Sequence, residues 1–178
     1  MKQLSAAALR ELILEIQTQL SHLSQLEADI QQTQADLAHD PDQAWSYYSA
    51  LSLHLHNFYT NCEYIFQIVV SQLEQGLVIG SGWHQQLLER MGAAWENQPA
   101  VLSLESLRLM RDFLTYRHFV RDSDGLELDL PTLNSLLESY PQIWGQVKTD
   151  VLYFVDWLRV LAETVDNSEK AVDKSAEL

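Results

Sequence analysis

The eight residues Arg117-His118-Phe119-Val120-Arg121-Asp122-Ser123-Asp124 carry three basic side chains and two acids. Of the 11 lysines and arginines in the chain, four (Arg108, Arg111, Arg117 and Arg121) fall between positions 108 and 121, and His118 joins them. The rest of the molecule repels anions, because the formal net charge is -14. A field of that sign opposes non-specific attraction to nucleic acid, so any phosphate contact must come from a local basic pocket. The segment therefore reads as a site that faces an anion, and a broad DNA-binding face is excluded.

Helical position decides which of these groups can cooperate. Arg111 and His118 are seven apart and fall within about 20° of one line, and Asp122 lies about 40° from His118 on that face. Arg108 and Thr115 share the arc, which reads equally as a solvated face. Arg117 and Arg121 fall instead in the arc bounded by Met110, Phe113 and Leu114, where an unpaired exposed arginine is out of place. They are expected to line a cleft or interface, with Asp122, Asp124 or Glu63 as candidate ion-pair partners of Arg117. A second polar set, Ser52, His56, Tyr59 and Glu63, recurs at spacings of four, three and four along the edge of an apolar face. Taken alone, it is a hydrogen-bonded helix margin.

Metal chemistry is not indicated, and no cofactor is expected. The six histidines form no HExxH pair and no His/Cys array. His54 and His56, two apart, point about 200° from each other on a helix. Gly76, Gly80 and Gly82 lack the Lys-Ser/Thr ending of a phosphate-binding loop and read as a helix stop and a turn. A single cysteine, Cys62, rules out an intrachain disulfide and a thiolate cage, and reads as a small buried hydrophobe.

The elements that must position these groups are all helices. Positions 9, 13, 16, 20, 23, 27, 30, 34 and 37 alternate spacings of four and three and hold Leu, Ile, Ile, Leu, Leu, Glu, Ile, Gln and Leu, a heptad-like helix with two polar interruptions. Asp40-Pro41 ends it or starts the next. Trp45, Tyr48, Leu51, Leu55, Phe58, Cys62, Phe66, Val69 and Leu73 predict a second helix to about Gln75, broken by the glycines. A short helix over Trp83 to Met91 follows, with Trp83 and His84 as a packed loop anchor. After a loop through Asn97-Gln98-Pro99 comes a helix over about Leu102 to Asp122. Pro131 opens a last stretch to about Val165, with Pro141 as a kink or break inside it. Trp144, Tyr153, Phe154 and Trp157 follow helical spacing and are expected in the core.

At 178 residues and 47% hydrophobic, the chain can build one sizeable core. One domain over residues 1–165 is expected, followed by a charged, disordered tail over 166–178. The first residues lead into an amphipathic segment, and no stretch approaches the roughly 18 apolar residues of a membrane span. A cytoplasmic protein is expected.

Three blocks carry a resemblance. Leu53-His54-Leu55-His56-Asn57-Phe58-Tyr59-Thr60-Asn61-Cys62-Glu63, then Trp83-His84-Gln85-Gln86-Leu87-Leu88-Glu89-Arg90-Met91, then Arg117-His118-Phe119-Val120-Arg121-Asp122-Ser123-Asp124-Gly125-Leu126-Glu127-Leu128 together resemble a branch of the HepT-like proteins. These belong to the HEPN superfamily of helical ribonucleases. The resemblance covers roughly residues 5 to 165. It implies an all-α antiparallel bundle of about five helices that forms a homodimer. It also implies a toxin that cuts RNA without metal at the dimer cleft and is restrained by a small nucleotidyltransferase antitoxin, some of which add AMP groups to a tyrosine beside the site.

The family pattern is an arginine, four to six residues, then a histidine, often followed two later by that tyrosine. An arginine fork can hold the scissile phosphate, and a neutral histidine can take the 2'-hydroxyl proton. With Arg117 as the family arginine, Asp122 stands where histidine is expected and Asp124 where tyrosine is expected. An aspartate is a weak base unless its pKa is shifted. The alternative alignment takes Arg111 and His118. The resemblance thus nominates Arg117, Asp122 and His118 for catalysis and Arg121, Arg111, Asp124, His56, Tyr59 and Glu63 for the surrounding cleft. It leaves open an active ribonuclease or a degenerate binding subunit.

Overall fold

A computed structural model describes residues 4–73, 80, 82–95, 97–122 and 128–176. Among these residues the chain forms helices α1 (Ala6–His39), α2 (Ala44–Leu73), α3 (Trp83–Met91), α4 (Leu104–Asp122) and α5 (Leu130–Ala176), with one 3-10 turn at Pro41–Gln43 between α1 and α2. Three of the starts have a side-chain cap. The Ser5 hydroxyl accepts from the Ala8 amide at the head of α1. The Ser103 hydroxyl accepts from the Ser106 amide ahead of α4, and Asp129 accepts from the Thr132 amide and hydroxyl at the head of α5. These contacts satisfy amides that a helix start leaves without partners.

Helix α1 runs antiparallel to both α2 and α5, as the cross-contacts show. Tyr64 of α2 reaches Glu15 of α1 while His54 lies against Thr33. Arg10 of α1 meets Asp166 of α5 while Glu27 meets Trp144. Ser106 of α4 meets Asp150 of α5. The heptad-like residues of α1, Leu9, Ile13, Ile16, Leu20, Leu23 and Ile30, are buried against α2 and α5. One polar interruption has an explanation, because Glu27 accepts the Trp144 indole N–H at 2.8 Å. Phe58 sits at the meeting point of three helices, its ring edge-on to Phe113 of α4 at 5.2 Å and to Tyr140 and Trp144 of α5 at 5.1 and 6.2 Å. Such geometry suits the quadrupoles of aromatic rings and pins α2 between α4 and α5.

Three features differ from expectation. Pro141 does not break α5; it is exposed, while Tyr140, Ile143 and Trp144 beside it are buried and hold the helix on its course. The segment from Asp166, expected as a disordered tail, continues α5 to Ala176. Asp166 accepts there from Arg10 of α1 and from Lys170 one turn on, so the charges of this segment stabilise helix. Tyr153 is 70% exposed, because it lies on the face of α5 turned away from the Phe154 side.

Candidate active site

Glu63 is the single carboxylate within the apolar run of α2 from Cys62 to Val70. Taking an ionised carboxylate out of water costs several kcal/mol unless it is paired, so a buried glutamate demands partners. It is 3% exposed and has two. Its Oε1 lies 2.5 Å from Nδ1 of His84, and its Oε2 lies 3.3 Å from Nη2 of Arg117. Nη1 of Arg117 lies 3.4 Å from Nε2 of His84, closing a triangle of side chains from α2, α3 and α4. A ring protonated on Nδ1 and bare on Nε2 satisfies both contacts, donating to the carboxylate and accepting from the guanidinium.

The loop ahead of α3 places His84. Gly82 adopts a left-handed φ of 81°, and its carbonyl accepts from the Gln86 amide, so the chain turns straight into the helix with Trp83 and His84 in the first turn. The Trp83 ring covers the His84 ring at a centroid distance of 3.7 Å, and His118 of α4 meets it edge-on at 5.2 Å. Leu87, Leu88 and Met91 bury the other face of α3 and anchor it on the bundle.

Further polar groups surround the triangle. His56 and Tyr59 lie two turns and one turn before Glu63 on α2. Burial holds the His56 ring below its ordinary pKa of 6.5, the Arg117 charge adds to that shift, and Glu63 opposes it. Burial, then Glu63 and Cys62, push the Tyr59 phenol up, against Arg117. His56 Nδ1, Tyr59 Oη and Arg117 Nε are buried and make no hydrogen bond among the described residues. Buried polar atoms are almost always paired, so these three leave hydrogen-bonding capacity beside the triangle. No group of three or more His, Cys, Asp or Glu side chains suited to a metal ion occurs among the described residues.

Arg117, His118, His56, Tyr59 and Glu63 are thus brought together. The polar set of α2 is more than a helix margin: α4 packs over it, Ser52 accepts a hydrogen bond from Tyr116 at 2.7 Å, and Tyr59 and Glu63 are buried. Arg111 is exposed on α4 and stands about 10 Å along the axis from His118. Arg121 is exposed in the last turn of α4. The side chain of Asp122, which ends α4, and the whole of Asp124 lie outside the described residues. His84 was expected to be a loop anchor, but it joins the cluster directly. The signal that could have found it is Glu63, whose position in an apolar run requires a buried partner from another element.

A family model described as HepT-like protein matches residues 50–158. The matched span holds every member of the cluster. No curated protein and no solved structure matches the chain.

Proposed function

The chain belongs to the HepT-like family, and on that footing we propose that it is the toxin component of a bacterial toxin-antitoxin module, an endoribonuclease that needs no metal. The observation that carries this reading is Arg117, held by Glu63 and His84 with His118 beside it. A guanidinium fixed at one edge by a carboxylate is oriented before substrate arrives, and its remaining N–H groups can hold a phosphate diester and offset the charge that grows on it. His118 supplies an imidazole that can give or take a proton. Asp122 remains the alternative base from the family alignment, and Arg121, Arg111 and Asp124 flank the same stretch of chain.

The shared cleft of a homodimer, a cytoplasmic setting and restraint by a small nucleotidyltransferase antitoxin belong to the same proposal. With no tyrosine at position 124, a partner that adds AMP to that position has no phenol to modify, so simple binding is the mode of restraint that fits this sequence. Among the described residues no helix is long and apolar enough to cross a membrane.

One observation favours a second reading. The Arg117 side chain is only 12% exposed and already ion-paired, which suits a subunit that keeps the fold and binds a nucleotidyltransferase without cutting RNA. Incubating total and transfer RNA with the purified protein in chelator separates the two. Cleavage that disappears in Arg117→Ala supports the ribonuclease; an intact RNA pool with well-folded dimer supports the binding subunit. A monomer at micromolar concentration refutes the shared cleft.

A further inference from the structure

Position 122 holds aspartate where the family pattern calls for histidine, and an aspartate of ordinary pKa is a weak base, so a histidine positioned by another element is the stronger candidate if RNA is cut. A histidine from another helix faces the arginine. Nε2 of His84 lies 3.4 Å from Nη1 of Arg117, and its Nδ1 lies 2.5 Å from Glu63. We propose that His84 is the catalytic base of this centre, a role that rests on the ribonuclease reading and adds to it a residue outside the α4 motif.

The geometry supplies what a base needs. Glu63 accepts the hydrogen bond from Nδ1–H, which fixes the tautomer with its lone pair on Nε2 and stabilises the imidazolium formed when that nitrogen gains a proton. The Trp83 ring, 3.7 Å away and tilted by 31°, restricts the swing of the imidazole. The lone pair points at the guanidinium, and a phosphate held by that guanidinium brings its neighbouring ribose next to Nε2. An entering phosphate takes over the Arg117 N–H that Nε2 accepts, which frees the lone pair as substrate binds. Both groups keep an edge at the surface, with side chains 10% and 12% exposed.

The step then balances. His84 Nε2 takes the proton of the ribose 2'-hydroxyl, and the 2'-oxygen forms a bond to phosphorus. The bond from phosphorus to the 5'-oxygen breaks, and that oxygen leaves with a proton from His118 in its imidazolium form, whose ring lies 5.2 Å from that of His84. The products are a 2',3'-cyclic phosphate and a 5'-hydroxyl. His84 returns its proton to water and His118 regains one from water. DNA, which lacks the 2'-hydroxyl, is not cut.

The test uses the full chain, chelator, an oligoribonucleotide and its analogue with sulfur in place of the bridging 5'-oxygen. Sulfur leaves without being protonated, so the analogue needs a base and no acid. His84→Gln is expected to lower cleavage of both substrates by about 100-fold or more, the usual scale for losing a positioned base. His118→Ala is expected to lose the oxygen substrate and retain the sulfur one. Binding of the uncleavable 2'-deoxy oligonucleotide to His84→Gln is expected to match wild type, which a merely structural role would not allow. Wild-type cleavage by His84→Gln, or loss of binding together with cleavage, overturns the assignment while leaving the ribonuclease reading in place. Failure of the wild-type protein to cut either substrate overturns both.

Discussion

The pairing of Glu63 with Arg117 can be measured directly, because both side chains are nearly out of water and the contact is 3.3 Å. At an effective dielectric of about 20, two unit charges at this distance attract by roughly 5 kcal/mol, most of which offsets the cost of desolvating them. Removing one partner leaves the other charged and buried, which costs about 3–5 kcal/mol. Glu63 keeps His84 when Arg117 is replaced by Met, so the lower end, about 3 kcal/mol, is expected for Arg117→Met, and a similar loss for Glu63→Gln. In a chain of this length that corresponds to a fall in Tm of about 6–12 °C. The double variant buries no unpaired charge and should be less destabilised than the sum of the singles by about 1.5 kcal/mol or more. Urea unfolding of the four proteins followed by helical circular dichroism gives the coupling, and added salt should change it little because the pair is buried. A coupling below about 0.5 kcal/mol would falsify the picture of a preset guanidinium, since independent sites add to within that margin.

The remaining predictions concern the surroundings. The unfolded chain takes up a proton at His56 near its ordinary pKa of 6.5, while burial delays that uptake in the folded protein, so this group withdraws stability as pH falls below 6.5 and until the folded ring is protonated. His56→Gln should therefore flatten the loss of urea midpoint between about pH 7.5 and about pH 5.5, and an unchanged slope would refute the linkage. Trp144→Phe removes the 2.8 Å indole donation to Glu27 and should cost about 2 kcal/mol in the same unfolding assay. Adding Glu27→Ala to that variant should cost little more; full additivity of the two losses would show that the contact contributes nothing. Burial pushes the Cys62 thiol up, so a thiol reagent should label it only after denaturation. Rapid labelling of the native protein would contradict its position in the core.

Much of this molecule follows from local rules that the sequence states openly. Spacings of three and four located α1 and α2, and the glycines up to Gly82 set the start of α3 at Trp83, because an apolar stripe and its punctuation are properties of neighbouring residues. The same rules misjudged places where a distant element intervenes. Tyr153 has helical spacing yet faces outward, and the charged stretch after Val165 is helical where Arg10 reaches Asp166 from the other end of the chain. The clustered arginines of α4 and the polar set of α2 were each visible as candidates. Helical position already set Arg117 apart from Arg111; tertiary packing decided which of its candidate partners Arg117 meets, Glu63 of α2 together with His84 of α3, and left Arg121 of the same arc exposed.

His84 marks the boundary most clearly. The sequence determined that Glu63 lies in an apolar run, and desolvation then requires that it meet a partner. It did not determine that the partner would be a histidine 21 residues away, beyond the glycines, because periodicity specifies the buried face of a helix and leaves open which side chains of other helices will meet it. Only the packing of α3 across α2 and α4 brought carboxylate, imidazole and guanidinium within hydrogen-bonding range of one another.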